Sequence, residues 1–331
     1  MESGFSTGTR GVRVAVIRPA WNERRVLVTG AAGFIGRRLA TRLAAAGARV
    51  TGFDRIRPQL PGTDIESREA DLRDTETLGD AVAEADLVFH LAAANGHRNS
   101  MDEPRADFED NVMGTVSLLA AVARRAPRAR VVFASTRQLY GPAASLPADE
   151  DHVVAPPDVH AVHKETAEHL VRHSAEQRDV PFSVLRLTNT YGPGQPTAGP
   201  GAGLTGRFLG DALAGRKLTI LGDPGLLRDF NYVDDVVDGF CRAGERGAPA
   251  GTWNLGAAPV RLRAFAEAVF RALGEEPRVR TAPLPRGLEA IAIGDFHSDW
   301  SAVRRDLGWE PAWTLESGLA ETVRAMRART S

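Results

Sequence analysis

Three glycines, Gly30, Gly33 and Gly36, follow the apolar run 26–28 and lead into a helix-forming stretch, 34–46. A second strand-like run, 49–53, ends at the acid Asp54. A glycine triplet alone says little. Between a strand and a helix, with an acid at the end of the next strand, it is the βαβ pattern that binds a dinucleotide. Gly30 permits the tight turn, Gly33 lets backbone approach a pyrophosphate, and Gly36 lets the helix pack closely on the sheet. Phe34 and Ile35 open that helix, whose free N–H groups and positive dipole end face the phosphates. Asp54 accepts hydrogen bonds from both ribose hydroxyls and repels a 2′-phosphate, so NAD is expected over NADP. Arg55, beside it, is the one residue that could tolerate the phosphate.

The elements that must carry this site alternate. Strands are expected at 66–70, 87–91, 130–134 and 182–187, with helices at 75–83, 106–125 and 160–177. Such alternation predicts an α/β fold, a Rossmann-type doubly wound parallel sheet. After Asn189 the pattern changes. The segment 193–203 is rich in Gly and Pro and reads as a loop. Helices at 205–214, 233–245, 263–272 and 315–328 and short strands at 218–221 and 252–255 predict a smaller α/β lobe over the carboxyl ends of the sheet. The expected division is an N-terminal extension 1–24, a dinucleotide domain 25–188 and a substrate lobe 189–331. The extension is expected to be a tail or an extra strand, 12–17, ahead of the nucleotide fold.

Composition narrows the partners. The 331 residues carry a formal net charge of −1, so no basic field points to nucleic acid or an anionic membrane. No apolar run reaches membrane-spanning length. Arg10, Arg13 and Arg18 interrupt any signal-peptide core. Cys241, the single cysteine, excludes an internal disulfide and fits a reducing cytoplasm.

From Arg25 to Arg327 the chain resembles the extended short-chain dehydrogenases/reductases, specifically the NAD-dependent nucleotide-sugar epimerases and dehydratases. The motifs that carry the likeness are TGAAGFIG (29–36), ADLRD (70–74), VFHLAA (88–93), NVMGT (111–115), VVFASTRQLYG (131–141), RLTNTYGPG (186–194), LRDFNYVDD (227–235) and LGWEP (307–311). The resemblance implies that Asp71 and Leu72 hold the adenine and that Leu91, Ala92 and Ala93 line the strand end. It implies further that Asn111 supports the cofactor side of the site and that Ala134 and Ser135 flank the nicotinamide ribose. On the substrate side it places Asn189 against the sugar or first phosphate. Arg228 would grip the diphosphate, a role suited to a guanidinium fork. It also implies a homodimer built on the helices 106–125 and 160–177.

The catalytic motif departs from the family. Its members place a Tyr four residues before a Lys, with a Ser or Thr completing the site. Thr136 and Lys164 match; the Tyr position holds His160. The three tyrosines, Tyr140, Tyr191 and Tyr232, belong to other family segments, though folding could bring Tyr191 near. An imidazole titrates near ~6.5, so it accepts a proton at neutrality without the help a phenol at ~10 needs. Lys164 and a positively charged nicotinamide favour its neutral form. Imidazole is shorter than phenol, so a water would bridge to the substrate. His160 and His163 are spaced for a shared metal, but no third ligand is near and none is expected.

Dehydratase relatives follow the Thr with Asp-Glu, and decarboxylating relatives carry a Glu in this region. Here the positions hold Arg137 and Gln138. The resemblance therefore implies an NAD-dependent epimerase of a nucleotide-diphosphate sugar, acting at C4. The competing readings are another enzyme of the same scaffold, redox-neutral chemistry on it, or a non-catalytic NAD-binding protein.

Overall fold

The computed structural model describes residues 21–60, 65–83, 85–94, 97–199, 201–287 and 289–328. The strand expected at 12–17 lies outside them. The strands in chain order are β1 (Arg25–Thr29), β2 (Arg49–Asp54), β3 (Ile65–Glu69), β4 (Leu87–His90), β5 (Arg130–Thr136), β6 (Phe182–Leu187), β7 (Asn189–Tyr191), β8 (Leu218–Leu221), β9 (Leu227–Tyr232), β10 (Gly251–Leu255), β11 (Pro259–Arg261) and β12 (Val279–Ala282). The helices are α1 (Phe34–Ala45), α2 (Thr75–Val82), α3 (His97–Asp102), α4 (Pro104–Phe108), α5 (Gly114–Arg125), α6 (Val159–Gln177), α7 (Leu204–Leu213), α8 (Val233–Gly244), α9 (Leu262–Leu273), α10 (Ser301–Leu307) and α11 (Leu315–Arg327).

The central sheet has seven strands in the order β10-β6-β5-β4-β1-β2-β3, and its paired strands run parallel. The order reverses direction beside β1, which opens a crevice at the carboxyl ends of β1 and β4. All four residues of β4 are buried, as expected for a strand covered on both faces. Buried side chains form one cluster that includes Leu39, Leu43, Phe240 and Phe265 and a second that includes Leu78, Leu118, Val122 and Val171. The expected doubly wound α/β architecture is the one found. The strand β10 lies in the part expected as a second lobe, yet it pairs with β6 and forms the sheet edge. Smaller sheets, β11-β9-β7 and β12-β8, stand beyond it.

The helix expected over 106–125 is found from Pro104 to Arg125, with a π turn inside it. Pro104 occupies the first turn of α4, where its missing N–H costs nothing. A π turn over Glu109–Met113 separates α4 from α5. Such a turn accommodates an extra residue inside a helix and re-aims the side chains around it. Here Oδ1 of Asn111 accepts from the Ala94 N–H at 3.1 Å. Hydrophobic periodicity carries no signal for this insertion.

Candidate active site

The glycine loop folds onto bare backbone. Gly30 has φ +73°, and a Cβ there would lie 2.7 Å from the Ala92 nitrogen. A Cβ on Gly36 would collide with the carbonyl of Gly30. The α1 helix begins without a side-chain cap and without an acid in its first turn, so its N–H groups and positive end remain available to an anion. Asp54 ties strand to loop: its Oδ2 accepts from the Ala32 N–H at 3.0 Å. His90 braces the strand ends from below, between Thr29 Oγ1 at 2.8 Å and Thr115 Oγ1 at 3.0 Å. Burial lowers its pKa to about 3, so the ring is a neutral strut.

A cavity of about 530 Å³ opens above this loop. Gly30, Gly33, Phe34, Ile35, Gly36, Asp54, Arg55, Asp71, Leu72, Leu91, Ala92, Ala93, Ala134, Ser135, Thr136, His160 and Lys164 line it. Asn111, Asn189 and Arg228 are not in its wall. Asn111 stands behind His160, with Nδ2 3.5 Å from the ring Nδ1. The Asn189 amide donates to the Asp229 carbonyl at 3.0 Å. Arg228 is buried and donates to the carbonyls of Leu227 and Gly294. In this state its guanidinium holds backbone. Thr190 on β7, and Gln195, Pro196, Gly203 and Thr205 along the Gly/Pro-rich loop and the start of α7, extend the wall.

One end of the cavity is acidic. Arg55 forms a two-bond fork to Asp110 at 2.9 and 3.0 Å. Arg73 pairs with Asp71 at 2.7 Å, and its hydrogen bonds hold that carboxyl down at about 2. The cation expected to tolerate a 2′-phosphate is thus already engaged. Glycine cradle, helix end and Asp54 fit an NAD molecule.

At the other end stand Thr136, His160 and Lys164. Thr136 ends β5 and caps the 3₁₀ turn Arg137–Tyr140, its Oγ1 accepting from the Gln138 N–H at 3.2 Å. His160 lies in the first turn of α6. Asp158 caps that helix through the Ala161 N–H at 2.8 Å, and Ser100 Oγ accepts from the His160 N–H at 3.2 Å. Lys164 follows one turn later, so it shares the helix face with His160. Both are buried, at 6% and 5% exposure. The Lys164 Nζ sits 4.1 Å from the centre of the Phe133 ring. Burial lowers its pKa to about 8, against the opposing pull of Glu168 and Asp107.

No tyrosine lines the cavity among the described residues. Tyr140 bonds Asn254 and Arg186. The Tyr191 hydroxyl donates to the Leu315 carbonyl at 3.4 Å, and Tyr191 is not in the cavity wall. Arg137 and Gln138 are also absent from the wall, and the Gln138 amide donates to Asp158 at 3.1 Å.

Sequence reading missed one buried group. Asp107, on α4, is 5% exposed. Its Oδ2 lies 3.4 Å from the His160 Nδ1 and its Oδ1 2.6 Å from the His163 Nδ1. Burial would raise this carboxyl, but hydrogen bonds from His160, His163 and Asn111 outweigh it and bring it to about 2. The available signal was its spacing of four residues from Asn111. Among the described residues no three potential ligands are grouped to hold a metal ion, and no helix is long and apolar enough to cross a membrane.

A UDP-glucose 4-epimerase of Mycolicibacterium smegmatis is 34% identical over 320 residues, covering 92% of this chain and 99% of the relative. A UDP-glucose 4-epimerase from Thermotoga maritima, solved with UDP-glucose, superposes with a TM-score of 0.84 at 27% identity, covering 93% of this chain and all of that one. The Thermus thermophilus UDP-glucose 4-epimerase in complex with NAD gives 0.80 at 29% identity, covering 92% and 99%. The model of the NAD dependent epimerase/dehydratase family matches residues 26–256, and the chain belongs to that family.

Proposed function

We propose that this chain is an NAD-dependent nucleotide-sugar epimerase that inverts C4 through a transient 4-keto sugar, with His160 as the acid/base. The observation that carries the reading is the wall of the cavity: Thr136, His160 and Lys164 stand together there and no tyrosine does. When bound, NAD supplies a reversible hydride acceptor. The chain's own residues do the rest. His160 takes the proton from the sugar hydroxyl and returns it. Thr136 orients that hydroxyl through its side-chain oxygen. Lys164 supplies positive charge to an oxyanion, a role its buried setting strengthens. Asn189 and Arg228 are proposed, from the motifs they belong to, to meet the sugar diphosphate.

Two further features belong to this proposal. Met101, Phe108, Met113, Val116 and Val162 are exposed apolar residues on neighbouring helical segments, which favours a homodimer across α5 and α6. The buried thiol of Cys241 fits a cytoplasmic enzyme.

The test is incubation of the purified protein with a panel of nucleotide sugars in D₂O, followed by chromatography and mass spectrometry. The expected product is an isomer of unchanged mass, formed without added NAD. Loss of water or carbon dioxide, or no conversion across the panel, would sink the assignment.

A further inference from the structure

The proposed acid/base is not an isolated imidazole. Its Nδ1 faces two groups: the carboxylate of Asp107 at 3.4 Å and the amide Nδ2 of Asn111 at 3.5 Å. These demand opposite tautomers. A carboxylate partner needs hydrogen on Nδ1; an amide donor needs the lone pair there. The amide orientation is fixed, because the Asn111 Oδ1 accepts from the Ala94 N–H at 3.1 Å. Its Nδ2 has other acceptors, the Ala94 carbonyl at 3.5 Å and Asp107 itself. The carboxylate Oδ1 is taken by His163 at 2.6 Å, and Oδ2 is the oxygen that faces the His160 ring, at 3.4 Å. A charged acceptor outweighs a weak amide contact.

We propose that Asp107 is the positioning residue of this active site: its carboxylate holds hydrogen on the Nδ1 of His160, so that Nε2 carries the lone pair that accepts the substrate proton. The proposal rests on His160 being the acid/base. His163 is the second anchor of the array. Its ring packs edge-on against Phe108, 5.5 Å between centres, and grips the other carboxylate oxygen. Among the described residues, the groups near His160 also include Lys164 on its own helix, Asn111 in the π turn, Ser100 on α3 and Asp158 at the helix start, which Gln138 bonds. Asp107 is the one carboxylate bonded to the ring among the described residues. A 3.4 Å separation is long for a hydrogen bond, and such contacts tighten when substrate binds.

The experiment is ¹⁵N NMR of the NAD-loaded protein labelled at histidine, with His160 assigned by its loss in His160→Phe. The wild-type ring is expected to show a protonated Nδ1 and an unprotonated Nε2 at neutral pH. Asp107→Asn is expected to shift that tautomer and to lower kcat by ~10²-fold with KM changed little, the signature of lost proton-transfer geometry. Asp107→Glu keeps a carboxylate and is expected to retain the wild-type tautomer; it serves if Asp107→Asn does not fold. An unprotonated Nδ1 in the wild type, or the same tautomer in Asp107→Asn, would overturn the proposal. Failure of every sugar to epimerise would strike the functional reading instead, and the tautomer would still decide the role of Asp107.

Discussion

The hydroxyl of Tyr140 donates to Oδ1 of Asn254 at 2.7 Å, and it accepts from Arg186 Nη1 at 2.9 Å. Arg186 is itself paired with the buried Glu168 at 2.8 Å. This phenol is part of a buried network that joins the 3₁₀ turn Arg137–Tyr140 to β6, β10 and α6. Removing its hydroxyl leaves a buried acceptor and a buried cation short of a partner. Tyr140→Phe is therefore expected to cost ~1–3 kcal/mol in denaturant unfolding. It should leave the pH dependence of turnover where it was. His160→Phe is expected to lower kcat by at least ~10²-fold with NAD affinity retained. Loss of turnover in Tyr140→Phe at unchanged stability would move the proton chemistry to the phenol.

Lys164 sets an alkaline limit. Burial brings its pKa to about 8, so above that value the free enzyme loses the cation beside Thr136 and His160. The kcat/KM profile is expected to fall above about pH 8. Lys164→Arg, whose charge persists to much higher pH, should carry the limb upward even if overall activity drops. The same depression has a stability consequence of fixed sign. The unfolded lysine binds its proton up to ~10.4, so this group makes folding more favourable as pH rises from about 8 towards that value. A limb that stays in place in Lys164→Arg would assign it to another group.

Cofactor choice is expected to follow the Arg55–Asp110 fork. With both guanidinium bonds made to Asp110, the cation beside Asp54 is occupied. Asp110→Ala removes the partner and frees Arg55 for a 2′-phosphate. Titration of NAD and NADP should show the wild-type preference for NAD reduced by ~10-fold, the worth of one charge-assisted hydrogen bond. An unchanged ratio would leave discrimination to Asp54 alone.

The contrast between Asp54 and Asp107 explains what the sequence could and could not carry. Asp54 closes a local βαβ unit, so its place follows from chain order and strand length. The cofactor wall was legible for the same reason: Gly30, Leu91 and Ser135 sit at the ends of consecutive parallel strands, which chirality forces to one edge. Asp107 reaches His160 across 53 residues, from the short helix ahead of a π turn that periodicity does not reveal. Asn189 and Arg228 were placed by motif, but their side chains hold neighbouring carbonyls. Hydrogen-bond partners of that kind depend on loop packing, which no local pattern encodes.

Acid stability gives a reading of Asp107 that needs no substrate. Its carboxyl is brought to about 2 in the folded chain, against ~3.9 in an unfolded one. The stabilisation it provides is present above the unfolded value and is lost as pH falls towards about 2. The shift corresponds to about 2 kcal/mol. Asp107→Asn has no such proton to take up. Urea unfolding of the two proteins between neutrality and the acid limit should therefore give a wild-type advantage that is constant above about pH 5 and shrinks by about 2 kcal/mol below it. Parallel acid arms would mean that His160 and His163 do not hold the carboxylate in solution, and the array that orients the imidazole would go with it.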